Sequence, residues 1–493
     1  MDTSDRGSVL AERIPGPIHF IGIGGYGMSG LALVLVSLGL SVTGCDLAES
    51  SRVKALRSRG IEVAIGHHRD HLEGVATVVY STDVPGDNVE RVEAGIRGIP
   101  VLHRSRILAA LFDAFAPSIA VAGTHGKTSS TGMLGAVLEA SGLDPTVVVG
   151  GELMEEGLTA RIGSSGYLVA EACESDGTFL HYHPDVALCT NVEPEHLEFY
   201  GGSFPEQVRA FGQFVEGIRS GGLAVINAED PILLDLASGR STRVVYCAAE
   251  AAAADLDIPV DYVARDLCSH PGGSEFNLWC GSKDLGRIAL RIPGRHMAQN
   301  ALLVAAAAVE LGADPQSVAE GLWTYRGVGR RFETVGRNGG ARVVDDYAHH
   351  PTEIRATLAA ARDVAAGGRV LAVFQPQRHT RTRDLMAEFG ASFDDADFLV
   401  IMPIYAPAGQ QPIPGVSSET MANLVRRRTD MEVVVCGDRD GIVADLRARV
   451  RPGDVVVTMG AGDVWKLARE LVSEDSSGVE GNPLAGPPGH VLD

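Results

Sequence analysis

The chain has 493 residues, about three times the ~150 of an average domain, so two to four domains are expected. Its 42 basic residues against 63 acidic ones give a formal net charge of −21, which argues against nucleic acid or an anionic membrane as partner, since either requires a basic face. With 45% hydrophobic residues, 21% charged residues and 59 glycines, fibrous and wholly disordered chains are excluded, and many tight turns or phosphate-approaching loops are expected.

Residues 1–16 are acidic and lack the basic-then-apolar order of a signal peptide. The run Leu31 to Leu40 is interrupted by Ser37 and Gly39 and is far shorter than the ~20 residues that span a bilayer. The seven cysteines are scattered, with no CxxC pair, and an odd count does not suggest a disulfide framework. A soluble cytoplasmic protein is expected.

Taken in order, IHFIGIG reads as a buried strand, MSGLALVLVSLG as a helix ended by Gly39, and LSVTGCD as a second strand. VATVVYST predicts another strand and SRILAALFDAF a helix. SIAVAGTHGKT opens a second block as strand, loop and helix, followed by the apolar strands YLVAEACESD, DVALCTNV and GGLAVINAED. Residues 265–293 alternate and predict an antiparallel pair, and the Ala-rich run 301–313 predicts a core helix. From Gly327, the strand-like runs ARVVDDY, RVLAVFQP, DFLVIMPIY, MEVVVCG and DVVVTMG alternate with helical patterns, predicting a parallel sheet covered on both faces. The expected architecture is three α/β domains: Rossmann-like over 1–116, P-loop ATPase-like over 117–326 and doubly wound Rossmann-like over 327–475. A Gly/Pro/Ser-rich tail follows over 476–493.

Catalytic residues in such sheets lie at the C-terminal ends of strands, and five motifs fall there. Gly22, Gly24 and Gly27 form a GxGxxG turn between strand and helix, with Asp46 at the end of the next strand. The glycines let a diphosphate approach the backbone, so NAD, FAD or a nucleotide-sugar diphosphate would fit. Gly123, Thr124, His125, Gly126, Lys127 and Thr128 form a shortened P-loop, with Val121 where the usual first glycine stands. Its amides and Lys127 would hold the phosphates of ATP, and Thr128 would face Mg2+.

Glu171, Glu174 and Asp176, with Glu193, Glu195 and His196, supply hard oxygens for Mg2+ beside a triphosphate. The segment Asp345, Asp346, Tyr347, Ala348, His349, His350 and Pro351 lacks zinc spacing and fits a substrate or adenosine role beside its helix-starting one. Arg378 and Arg381 could clamp a carboxylate or phosphate. No cysteine receives a role.

Together these residues resemble the Mur ligases, ATP-dependent amide ligases of peptidoglycan precursor synthesis. HFIGIGGYGMSG, GTHGKTSS, ESDGTF, TNVEPEHLEF, RRFE, DDYAHHPTEI, FQPQRHTRT and GAGDVW occur in family order over roughly 17–470. The resemblance implies UDP-N-acetylmuramate and L-alanine as substrates. The loop Gly22, Gly24, Gly25 and Gly27, with Asp46 and Ser81, would then hold the UDP-sugar. Gly123 to Ser129 would hold ATP, with Lys127 on the transferred phosphoryl group and Asn300, Arg331 and Asp346 on the nucleotide. Thr128, Glu171 and His196 match magnesium-associated positions, and Tyr347, His349, Arg378 and Arg381 match the amino-acid pocket. The chain departs from the family text at Asp83, Val84, Met297, Gln377 and His379. A ligase adding a preformed peptide, a dinucleotide-dependent oxidoreductase and a regulatory ATP-binding module are the alternatives.

Overall fold

A computed structural model describes residues 3–153, 158–406 and 410–472; the expected tail at 476–493 lies outside them. The described chain contains three sheets, one in each of three α/β domains.

The first sheet has five parallel strands in the order Glu62–Ile65, Val42–Asp46, Ile18–Ile21, Thr77–Tyr80 and Val101–His103. Ile18–Ile21 is buried along its whole length, as a central strand covered on both faces must be. The chain leaves this strand in one direction and returns beside it in the other, so the crevice at its C-terminal end is a topological switch point. The glycine loop and Ser81 both stand at that end.

The second sheet has ten strands, and Ser118–Ala122 lies between Leu168–Glu171 and Val186–Cys189, parallel to both. This is the second switch point, with the P-loop at its mouth. Beyond the expected strands the sheet carries Thr146–Leu153 and Leu158–Arg161. Where an antiparallel pair was expected at 265–293, three strands occur: Tyr262–His270, Gly273–Cys280 and Lys283–Leu290. Their two-residue links join antiparallel neighbours only, so the alternation covers a three-stranded meander. The run 301–308 in helix Arg295–Glu310 is wholly buried, as expected of core packing.

The third sheet orders Glu333–Asn338, Ala341–Asp346, Val455–Met459, Val370–Phe374, Phe398–Ile401 and Glu432–Val435. Five strands are parallel as expected, and an antiparallel edge strand, Glu333–Asn338, precedes them. Asp345 and Asp346 therefore end the second strand of this domain and not the first. One of the helical patterns between these strands, TRDLMAEFGASF, is broken into two helices, His379–Asp384 and Met386–Gly390.

The chain divides into two compact units, one of residues up to 266 with 277–288 and 299–328, the other of 267–276, 289–298 and residues from 329 on. All seven cysteines are free thiols. No helix among the described residues is long and apolar enough to cross a membrane.

Candidate active site

Two glycine-containing loops between strand and helix lie in the first unit. In the first, Gly22 adopts a φ of +73°, and the Gly24 amide donates to Asp46 Oδ2 at 2.9 Å. A Cβ on Gly24 would sit 2.8 Å from that same oxygen and 2.9 Å from Val53 Cγ2, so the turn closes only around a glycine. Gly25 caps the helix Tyr26–Ser37, whose N-terminal amides are a ready anion site. Asp46 thus braces the loop from below. Two arginines that sequence reasoning passed over border it. Arg52 donates to the Gly24 carbonyl at 2.6 Å and lies over the Tyr26 ring. A Cβ on Gly27 would meet the Arg104 guanidinium at 2.9 Å. Burial alone would lower the pKa of Arg104, but nearby Cys173, Tyr182, Asp176 and Asp83 hold it raised, so a fixed positive charge stands at the mouth of the turn.

The second loop joins strand Ser118–Ala122 to helix Lys127–Ala140. Gly126 caps the helix at φ +82°, and a Cβ there would come within 2.8 Å of the Asn300 amide group. Asn300, buried, is thus brought against the turn. The loop is fastened from the segment after strand Val186–Cys189. The Thr124 amide donates to the Asn191 carbonyl at 3.0 Å, and the His125 amide to Asn191 Oδ1 at 2.8 Å. The His125 carbonyl accepts from Thr190 Oγ1 at 2.5 Å and from Asn191 Nδ2 at 3.2 Å. Thr128 and Ser129 are buried in the first turn of the helix.

Lys127 Nζ donates to the Gly123 carbonyl at 2.5 Å, the Thr124 carbonyl at 3.0 Å and Glu174 Oε2 at 2.7 Å. Burial works to neutralise the lysine, but Glu174, then Cys173 and Glu171, outweigh it and hold its pKa above the ordinary value. Lys127 is therefore a permanent cation, already aimed into its own loop. Glu174, expected beside Mg2+, is instead committed to that cation, and its backbone carbonyl takes a hydrogen bond from the Tyr200 hydroxyl. Asp176, also expected there, accepts from Thr178 at 2.5 Å and from Thr82 at 2.9 Å. Burial opposes its ionisation, but those two hydrogen bonds and the charge of Arg104 hold its pKa below the usual range.

Glu171 ends strand Leu168–Glu171 and accepts from the Gly150 amide at 2.6 Å. Cβ atoms on Gly150 and Gly151 would meet Glu171 Oε2 at 2.7 Å and Thr128 Cγ2 at 3.2 Å respectively. The glycine pair thus lies between the Thr128 side chain, which meets it through its methyl group, and the Glu171 carboxylate, a hard-oxygen donor of the kind that suits Mg2+. On the other flank His196 holds a left-handed backbone, φ +54°, with its ring nitrogens 3.8 Å from Glu195 and 3.9 Å from Glu198. A non-glycine residue held in that region is strained and worth a functional reading. The Glu193 amide donates to Thr124 Oγ1 at 2.9 Å, joining this segment to the P-loop.

In the second unit, Ala341–Asp346 and Val370–Phe374 both pair with Val455–Met459, and Asp346 and Phe374 both register with Met459. The loops that carry Tyr347, His349, Arg378 and Arg381 therefore leave the sheet at one end, with one strand between them, on the order of 10 Å apart. The Tyr347 ring faces both Arg330 and Arg331, 5.0 and 5.3 Å from its centroid, and stands edge-on to His349. Glu353 lies 3.7 Å from Arg331, accepts from the His349 amide at 3.0 Å and closes a capping box with His350. Arg378 has φ +65°, and Arg381 donates to Gln377 at 2.9 Å. Asp346, expected to contact the nucleotide, has both oxygens taken by the amides of Phe332 and Ala348, each at 2.7 Å. Burial raises its pKa to about 6 despite the nearby Arg331. Its visible role is to shape the turn that presents Tyr347.

Residues 17–116 match the Mur ligase family catalytic domain, 121–308 the Mur ligase middle domain and 330–462 the Mur ligase glutamate ligase domain. A UDP-N-acetylmuramate–L-alanine ligase of Symbiobacterium thermophilum is 47% identical over 95% of this chain and 98% of its own length. The enzyme of that name from Geobacter sulfurreducens is 42% identical over 93% and 97%. The crystal structure of a UDP-N-acetylmuramate–alanine ligase from Thermotoga maritima superposes with a TM-score of 0.78 at 28% identity, covering 93% of this chain and 99% of that one. A murein peptide ligase from Psychrobacter arcticus gives 0.69 at 25%, covering 94% and 99%. Similar to such ligases over nearly its whole length, and carrying both loops at its sheet switch points, the chain belongs to the Mur ligase family.

Proposed function

We propose that this protein is an ATP-dependent ligase that joins L-alanine to the lactyl carboxylate of UDP-N-acetylmuramate in peptidoglycan precursor synthesis, releasing ADP and phosphate. The observation that carries the reading is the presence in one unit of two phosphate-accepting loops, each at its sheet's switch point. A hydride-transfer enzyme would use the first and leave the second unexplained. The domain limits proposed are 1–116, 117–326 and 327–475, with the reaction in the cytoplasm.

The Gly22–Gly27 turn, helped by Arg104, takes the UDP diphosphate, and Ser81 lines the same crevice. The P-loop amides take the ATP phosphates, and Asn300, Arg331 and Asp346 hold the nucleotide. The lactyl carboxylate oxygen attacks the γ-phosphorus and ADP departs. The alanine amine then attacks the acyl carbon, phosphate leaves, and the amine gives up its extra proton. Lys127 stabilises charge gathering on the phosphoryl oxygens by exchanging one of its three present acceptors for the phosphate. Thr128, Glu171 and His196 would hold Mg2+, which when bound offsets that same charge. Tyr347, His349, Arg378 and Arg381 position the amino acid. An acyl phosphate hydrolyses readily, so its surroundings must exclude water.

The test is ADP release from purified protein with ATP, Mg2+ and UDP-N-acetylmuramate, with each amino acid in turn. Turnover that requires both UDP-sugar and L-alanine, with a UDP-muramyl-alanine mass, is expected. Turnover with a tripeptide alone would replace this reading by the peptide-adding ligase. Silence with every amine would overturn it.

A further inference from the structure

The N-terminal sheet buries a set of side chains that the reaction does not use. His19 on strand Ile18–Ile21 and Cys45 on its neighbour Val42–Asp46 share one face, since Ile21, two residues on from His19, registers with Cys45. His71 comes from the 3-10 turn Arg69–Leu72 and Glu90 from the first turn of helix Val89–Arg97. The ligand atoms of His19, Cys45, His71 and Glu90 all lie within 4.8 Å of one another. His19 is 2% exposed, and Cys45 and Glu90 are fully buried.

Glu90 is the hub. Oε2 accepts from Cys45 Sγ at 2.9 Å, and Oε1 is paired with His71 Nδ1 at 2.6 Å and accepts from the His68 amide at 3.1 Å. His67 Nδ1 stands at the rim, 3.2 Å from Cys45 Sγ. One atom is left over. His19 Nε2 is buried with no hydrogen-bond partner and points at Glu90 Oε1 from 3.9 Å, too far to bond. Its other nitrogen, Nδ1, is held by Thr43 Oγ1 at 2.9 Å. With the ring proton on Nδ1, the Nε2 lone pair is directed into the cluster, the arrangement by which an outer hydrogen bond orients a metal-binding imidazole.

We propose that His19, Cys45, His71 and Glu90 form a structural site for a divalent transition-metal ion, Zn2+ by donor set. One thiolate, two imidazoles and one carboxylate make a borderline-soft set that suits Zn2+ and not Mg2+. Tetrahedral coordination at 2.0–2.3 Å spaces donors about 3.3–3.8 Å apart. The present spacings of 2.6 and 3.9 Å to Glu90 Oε1 and 2.9 Å to Oε2 bracket that range, and all four donors lie within 4.8 Å of one another, so shifts on the order of 1 Å open the site. Four protein donors leave no position for substrate, which makes the site structural and not catalytic.

On coordination Cys45 loses its thiol proton to solvent, and His71 moves its ring proton from Nδ1 to Nε2, so one net proton is released per ion. The ion also anchors the loop above it, since the Cys45 carbonyl accepts from the amides of Gly22 and Ile23 at 2.8 and 3.0 Å.

Chelator-stripped full-length protein titrated with Co2+ tests the proposal directly. The expected result is one Co2+ per chain with thiolate-to-cobalt absorption in the near ultraviolet and tetrahedral d–d bands in the visible. Stoichiometric Zn2+ should remove both bands, and excess Mg2+ should leave them. Cys45→Ser should lose the thiolate band. Thr43→Val keeps every ligand and should bind at least about tenfold more weakly. Lys127→Met should keep the bands, separating this site from the P-loop. A wild-type protein that gives no thiolate band, a band that survives Cys45→Ser, or a band that Mg2+ abolishes would overturn the proposal, and the wild-type titration decides even if a variant fails to fold.

Discussion

Removing either partner of the Lys127–Glu174 pair should destabilise the P-loop domain by a predictable amount. The two charged groups are 2.7 Å apart, with side chains 12% and 2% exposed. At an effective dielectric constant of about 20 their attraction is about 6 kcal/mol before desolvation. Much of that is cancelled by the cost of taking both groups from water, so the informative number is the loss when one is deleted, about 3–5 kcal/mol for a buried pair. Glu174→Gln should fall at the low end, near 3 kcal/mol, because Lys127 keeps the carbonyls of Gly123 and Thr124. Lys127→Met should fall at the high end, because Glu174 Oε2 loses its cation. The double variant should recover about 2–3 kcal/mol relative to the sum of the singles.

The assay is urea unfolding read at Trp323, with Trp279 and Trp465 replaced by Phe. Trp323 lies in helix Pro315–Thr324, which packs on helix Lys127–Ala140, so its fluorescence follows the relevant domain. Single-variant losses below about 1 kcal/mol, the range of a solvated surface pair, would refute the reasoning, as would a coupling near zero.

Three further outcomes are expected. At equal folded fraction, Lys127→Met should lower turnover about 10³-fold or more while UDP-N-acetylmuramate affinity stays within about twofold, checked by ADP release and titration calorimetry. Gly24→Ala, whose Cβ would strike Asp46 and Val53, should weaken UDP-sugar binding about tenfold to a hundredfold and leave ATP binding unchanged, with calorimetry of both ligands as the check. Asp346 has its pKa raised to about 6 above an unfolded value near 3.9, so the folded chain binds the extra proton. Its contribution to stability is therefore best below about pH 4 and falls as pH rises to about 6, by about 3 kcal/mol in all. Wild-type minus Asp346→Asn unfolding free energy, measured from pH 3.5 to 7.5, should show that fall and be flat above it; a difference curve independent of pH would contradict it.

Much of this protein was legible in the sequence because its chemistry is local. A glycine turn between an apolar strand and a helix needs only a few consecutive residues, so Gly22 to Gly27 and Gly123 to Thr128 identified themselves. The strand-helix alternation after Gly327 likewise follows from burial on both faces of a parallel sheet. Other elements carried weak local signals. The edge strand Glu333–Asn338 alternates too little to stand out, and helix Thr3–Arg13 has Gly7 in its middle.

What only the tertiary structure decided is which distant groups meet. Lys127 and Glu174 are 47 residues apart, His125 and Asn191 are 66, and Cys45 and Glu90 are 45. Each pair is brought together by strand order, and strand order is not written in any local pattern. Sequence could nominate Glu171, Glu174 and Asp176 equally for a cation because all three follow one strand. The fold separated them: Glu171 beside Thr128 at a glycine pair, Glu174 on Lys127, and Asp176 on Thr82 and Thr178. A carboxylate's role depends on the charge and burial around its oxygens, and those are properties of the folded sheet, not of the residues next to it in the chain.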